Sequence, residues 1–143
     1  MKYFCLTMAV VTALSLSAFA TSASKYLYVF DNERFLTSHI ELEFDGEGNG
    51  EFRFKKKGYD DFINKLQVSK RILSQIDSLV GELNYLESTE DYQYKKDFSH
   101  LGNISLTIEK GGKTRTVKFN YTENPSMNRL ANLFRNLATQ ESR

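Results

Sequence analysis

From Asn103 to Phe119 the apolar residues fall on alternate positions: Ile104, Leu106 and Ile108 are separated by Ser105 and Thr107, and Val117 and Phe119 by Lys118. A period of two places every second side chain on one face, which restricts this stretch to paired strands with one buried side. Gly111-Gly112 lies midway and suits the positive φ angles of a two-residue turn. That turn forces the pairing. Leu106 faces Val117, Ile104 faces Phe119 and Ile108 faces Arg115, while Thr107 meets Thr116 and Ser105 meets Lys118 on the polar side. Asn124-Pro125 then reads as a helix N-cap followed by proline at the first helical position, where its missing N–H costs nothing. Met127, Leu130, Ala131, Phe134, Leu137 and Ala138 recur at helical spacing, with Arg129, Asn132, Arg135 and Asn136 pointing away. The helix is expected to cover the apolar face of the hairpin.

The same order occurs earlier. Ile40, Leu42 and Phe44 alternate with His39, Glu41 and Glu43, and Phe52 and Phe54 alternate with Glu51, Arg53 and Lys55. Pairing Asp45 with Glu51 across the intervening glycines sets Phe44 against Phe52 and Leu42 against Phe54. It also sets Glu43 against Arg53 and Glu41 against Lys55, so burial and charge favour one register. Phe62 to Val68 reads as a further strand, with Asn64 on its apolar side. Ser69 is an N-cap for a helix whose face is Ile72, Leu73, Ile76, Leu79, Val80, Leu83 and Leu86, with Lys70, Gln75, Asp77, Ser78 and Glu82 turned away. Ahead of these, Lys25 to Phe30 reads as an edge strand and Asp31 to Thr37 as a loop. Two hairpin–helix units over one sheet bury both helices on the same side. The expected fold is therefore α+β, an antiparallel sheet of about five to six strands with two helices packed on one face.

Lys2 precedes an apolar run from Phe4 to Phe19, followed by Ala18-Phe19-Ala20 and Thr21-Ser22-Ala23, either of which fits a signal-peptidase site. Residues 1–23 are expected to be a signal peptide and residues 24–143 one α+β domain, secreted or periplasmic. The run is shorter than the roughly 20 residues a spanning helix needs, so no membrane span is expected after cleavage. Cys5 is the sole cysteine and would leave with the leader, which removes thiolate metal sites and cysteine nucleophiles. Lys2 would leave too, so 18 basic residues would balance 18 acidic ones. A balanced chain offers no electrostatic case for nucleic acid.

Asp97-Phe98-Ser99-His100-Leu101-Gly102, Gly112 to Tyr121 and Asn124-Pro125 resemble the C-terminal part of small exported bacterial proteins carrying a domain of unknown function. The resemblance spans roughly Ser38 to Gln140. It implies a bacterial origin and a hairpin–helix topology, and brings no catalytic or ligand residues with it.

Several constellations invite chemistry. Asp45-Gly46-Glu47-Gly48-Asn49-Gly50 opens like a calcium loop, with oxygen donors at Asp45, Glu47 and Asn49. The bidentate acid that normally closes such a loop is Lys56, and strands flank it, so an acidic hairpin loop explains the same letters. His39 and His100, with Glu41 and Asp97, could assemble a zinc site only if the fold joined them, because no local ligand spacing is present. A small exported hydrolase would rest on His100 and Asp97. No cofactor is expected.

Glu87 to Leu101 is polar, aperiodic and longer than most connections, the kind of loop that carries contacts. Tyr92, Tyr94, Lys96 and His100 within it are candidate binding residues, together with Thr107 and Thr116 on the sheet. Ser105 and Lys118 are expected to share that exposed face. Asn103 and Asn120 stand in glycosylation sequons, meaningful only in a eukaryotic secretory pathway. The resulting expectation is a non-catalytic binding or interaction module, inhibitor-like in kind, acting on a protein or glycan of the cell envelope. The alternatives are the hydrolase and a calcium-dependent module using the Asp45 to Gly50 loop.

Overall fold

The computed structural model of the chain describes residues 23–32 and 37–141. The expected leader lies outside them except for Ala23, as does the middle of the expected Asp31 to Thr37 loop. Strands β1 (Ser24–Asp31), β2 (Thr37–Asp45), β3 (Asn49–Lys56), β4 (Phe62–Gln67), β5 (Asn103–Lys110) and β6 (Lys113–Phe119) form one six-stranded sheet in the order β4-β3-β2-β1-β5-β6. Every neighbouring pair is antiparallel. Helices α1 (Lys70–Glu82) and α2 (Pro125–Glu141) lie on one face, the expected α+β architecture.

The β5–β6 hairpin has the expected register at every pair, from Ile104 opposite Phe119 to Ile108 opposite Arg115. Gly111 and Gly112 take φ of 60° and 78°, the mirror-image turn that matches strand twist. Helix α2 starts at Pro125, with the Asn124 side chain accepting from the Met127 amide at 3.0 Å. All six residues of its expected apolar face are buried. Ser69 caps α1 by accepting from the Ile72 amide at 3.3 Å, and Leu73, Ile76 and Val80 are buried.

Helix α1 ends at Glu82, one turn before the apolar spacing runs out at Leu86. Asn84 adopts φ +47°, and the amides of Asn84 and Tyr85 donate to the carbonyls of Gly81 and Val80, each at 3.1 Å. This pair of bonds closes a helix on a left-handed residue, a conformation asparagine tolerates better than most. Leu83 stays buried and Leu86 still packs on the core, so spacing alone could not reveal the stop.

Two expectations are corrected. The run Lys25 to Phe30 is not an edge strand: β1 lies between β2 and β5 and pairs with both. Its buried Tyr26 and Tyr28 and its half-buried Leu27 and Val29 give it apolar side chains on both faces, as a central position requires. The β2–β3 register is shifted by two residues from the expected one. Phe44 faces Gly50, Leu42 faces Phe52, Ile40 faces Phe54 and Glu43 faces Glu51. The turn is tighter than charge pairing suggested, because Asp45 Oδ1 accepts from the amides of Glu47 at 2.9 Å and Asn49 at 3.0 Å, and the Gly48 amide donates to Asp45 O at 3.0 Å. A Cβ on Gly50 would stand 1.8 Å from the Glu43 carbonyl oxygen, so glycine is what permits this approach. A slip of two keeps every side chain on its face, which is why the faces were right and the partners were not.

The core lies between the sheet and the helices. Phe134 of α2 stacks on Tyr28 at 5.5 Å and on Phe44 at 5.7 Å. Tyr26 donates its hydroxyl to Asp77 of α1 at 2.6 Å, and Asp77 also meets Lys110 at 3.3 Å. The helix-free face carries rows of mostly polar residues, among them Arg53, Glu41, Val29, Ser105 and Lys118 across successive strands. Among the described residues no helix is long and apolar enough to cross a membrane.

Candidate functional site

The connection from Leu83 to Gly102 passes around the β6 edge of the sheet, and three side chains fix its path. Tyr85 is fully buried and donates its hydroxyl to the Leu106 carbonyl; burial raises its pKa well above the ordinary tyrosine range, so it stays protonated and a donor. Arg115, on the helix-facing side of β6, donates to Tyr85 O at 2.8 Å and Glu90 O at 2.7 Å. Its guanidinium lies 5.5 Å from the ring centres of Tyr85 and Tyr92, a cation–π arrangement.

Beyond Tyr92 the chain reaches the end of β6, where Asn120 organises it. The Asn120 side-chain oxygen accepts from Gln93 Nε2 at 2.7 Å and from the Phe98 amide at 3.1 Å. Its amide nitrogen donates to Asp97 Oδ1 at 2.7 Å, and its backbone N–H donates to Gln93 Oε1 at 2.8 Å. Tyr94 donates its backbone N–H to Tyr121 O at 2.9 Å. Tyr94, Phe98 and Tyr121 form a ring cluster with centres 5.1 to 5.9 Å apart, and the His100 ring meets Phe98 edge-on at 5.8 Å.

Where Gln93 meets the helix-free face there is a cleft of about 490 Å³ lined by Val29, Asp31, Asn103, Ile104, Ser105, Lys118 and Phe119 as well as Gln93. Its floor is set by register, since Val29 faces Ser105, Ser105 faces Lys118 and Asp31 faces Asn103. It offers a lysine ammonium, a carboxylate, two carboxamides and a hydroxyl around an aliphatic centre. Asp31 also bonds His39 Nδ1, whose other ring nitrogen is 3.2 Å from Glu41 Oε2. Burial lowers the basicity of His39, but the two carboxylates outweigh it and raise the imidazole above its ordinary value.

The residues singled out by sequence divide. Tyr92 is 3% exposed and packs under Arg115, so it supports the loop and is not a contact residue. Tyr94 is half-buried in the ring cluster, and Lys96 and His100 are exposed on the same loop. Thr107 and Thr116 share a 2.7 Å hydrogen bond one row from the cleft floor. Asp97 accepts from Ser99 N at 3.0 Å and from Asn120, while His100 turns to Phe98, so the two are committed to different partners. Asp45 is held as the acceptor of its own turn, leaving Glu47 and Asn49 exposed around it. Among the described residues no group of three His, Cys, Asp or Glu side chains comes close enough to hold a metal ion. Gln93, Asn120, Asp31 and Asn103 were not singled out as site residues. Only register could have found Asn103 and Asn120, which close the outer-face row at the ends of β5 and β6. Gln93 sits in an aperiodic loop and gives no signal. Compared with protein-family models and with curated proteins, the chain matches none.

Proposed function

We propose that this chain is an exported, non-catalytic binding module, secreted or periplasmic, that holds a protein or glycan partner of the cell envelope. Its contact surface is the helix-free face of β1, β5 and β6 together with the Glu87 to Gly102 loop. One observation carries the reading: the cleft of about 490 Å³ forms where that loop meets that face, and its lining alternates hydrogen-bonding groups with aliphatic surface. Pockets of a few hundred cubic ångströms with convergent polar groups are the usual form of a recognition site. Asn120 and Arg115 hold the loop in place, so the surface is preorganised and loses little entropy on contact. The ring cluster of Tyr94 and Phe98 on that loop with Tyr121 just after β6 adds rigid amphipathic area of the kind that binds sugars and peptides.

The test is amide chemical-shift mapping with two probes, a panel of soluble cell-wall oligosaccharides and purified envelope proteins. Shifts confined to Gln93, Asn103, Ser105 and Lys118, and abolished by Lys118→Glu, are the expected result. Perturbation centred elsewhere, or none from either probe at millimolar concentration, overturns the reading.

A further inference from the structure

We propose that β4 is a self-pairing edge through which two copies of this chain join their sheets into one. The two edges of the sheet are treated differently. The β6 edge is screened by the loop, through Arg115 to Glu90 O and Tyr94 N to Tyr121 O. Among the described residues the β4 edge has β3 as its only strand neighbour, and five of its six residues are exposed. Folded proteins shield such edges with charge, proline or bulges, because a bare row of backbone donors and acceptors templates another strand. Here the start of the edge is apolar instead. Of the five large hydrophobic residues exposed among the described ones, Tyr59 at 69%, Phe62 at 49% and Ile63 at 60% all lie at the start of β4 or in the turn before it.

The occupant follows from the letters of the strand. Antiparallel pairing of two identical strands must keep each residue opposite one on the same face, so the two-fold axis passes through a residue. Centred on Lys65, it sets two ammonium groups against each other. Centred on Asn64, it sets Ile63 against Lys65. Centred on Ile63, it sets Ile63 against Ile63 and, twice over, Asp61 against Lys65 on the helix-free face. Only the last joins apolar to apolar and opposite charge to opposite charge, and cross-strand pairs are the unit of sheet stability. On the helix side it sets Phe62 beside Asn64 of the second copy, so the row from Phe54 to Phe62 continues towards the Phe52 of that copy. The cleft on β1, β5 and β6 lies beyond β2 and β3 and stays open.

Sedimentation velocity of the chain, from micromolar to millimolar, tests this together with Ile63→Lys, Asp61→Lys, Lys65→Asp and the Asp61→Lys/Lys65→Asp double variant. Asp61 and Ile63 are exposed, as is Lys65, so each variant keeps its fold, checked by its melting curve. The expected result is a concentration-dependent dimer lost in Ile63→Lys, weakened about tenfold in each charge variant and restored in the double variant. A chain that stays monomeric at millimolar concentration, or a dimer indifferent to all four substitutions, overturns the proposal.

Discussion

Tyr92 shows why an aromatic in a polar loop need not be a contact. Its ring is sealed under Arg115, and its buried hydroxyl has no hydrogen-bond partner among the described residues. An unpaired buried hydroxyl carries its desolvation cost uncompensated, so Tyr92→Phe is expected to stabilise the fold by about 1 kcal/mol, read from urea denaturation. A loss of stability would mean that the hydroxyl is satisfied. His39 poses the opposite case, an imidazole bonded on both sides by the carboxylates of Asp31 and Glu41. Its folded basicity is raised above the unfolded value of 6.5, so its contribution to stability is complete below that pH and disappears as pH climbs through the folded value. Thermal melts should show Tm falling over that window, and His39→Gln should flatten that part of the profile. An unchanged slope in the variant would assign the effect to other groups.

At the scale of the element, Gly50 decides how β2 and β3 pair. In the observed register an alanine there drives its Cβ into the Glu43 carbonyl, backbone against backbone, so neither side can yield cheaply. Gly50→Ala should cost about 1–3 kcal/mol by denaturant titration. In the register expected from burial and charge, Gly50 would sit in a loop and the change would be nearly silent, so a cost near zero would restore that pairing. The contrast explains what could be read beforehand. Pairing in β5–β6 was legible because Gly111-Gly112 allows one turn length and the outer residues agree with it. Glycines at 46, 48 and 50 allow several turn lengths between β2 and β3, and the true one is chosen by Asp45 accepting from two amides. The buried faces of both helices were legible for a simpler reason, that helical spacing reports burial directly. The end of α1 was not, because Asn84 turns the backbone without breaking the apolar pattern.

For the molecule as a whole, β1 is the seam. Strands β2 to β4 lie on one side of it and β5 and β6 on the other, so the two hairpins share a sheet only through Ser24–Asp31. The sequence understated this because a run of two tyrosines, a leucine and a valine is short. Its apolar residues at both even and odd positions were nonetheless the mark of a strand with neighbours and cover on both sides. The helices reinforce the seam. Phe134 of α2 stacks on Tyr28 of β1 and Phe44 of β2, and Asp77 of α1 takes bonds from Tyr26 of β1 and Lys110 of β5. Neither half can therefore retain a closed core when the other opens, and unfolding is expected as one transition by far-UV circular dichroism and by tyrosine fluorescence alike. Tyr28→Ala should lower that single transition by about 3–5 kcal/mol, the cost of emptying a buried aromatic position. Amide exchange should slow most along β1, with residues of β3 and β6 opening at the same free energy. Two separated transitions, or a variant that loses protection in β2 to β4 while β5 and β6 keep theirs, would show that each hairpin–helix unit stands alone and that β1 merely lies between them.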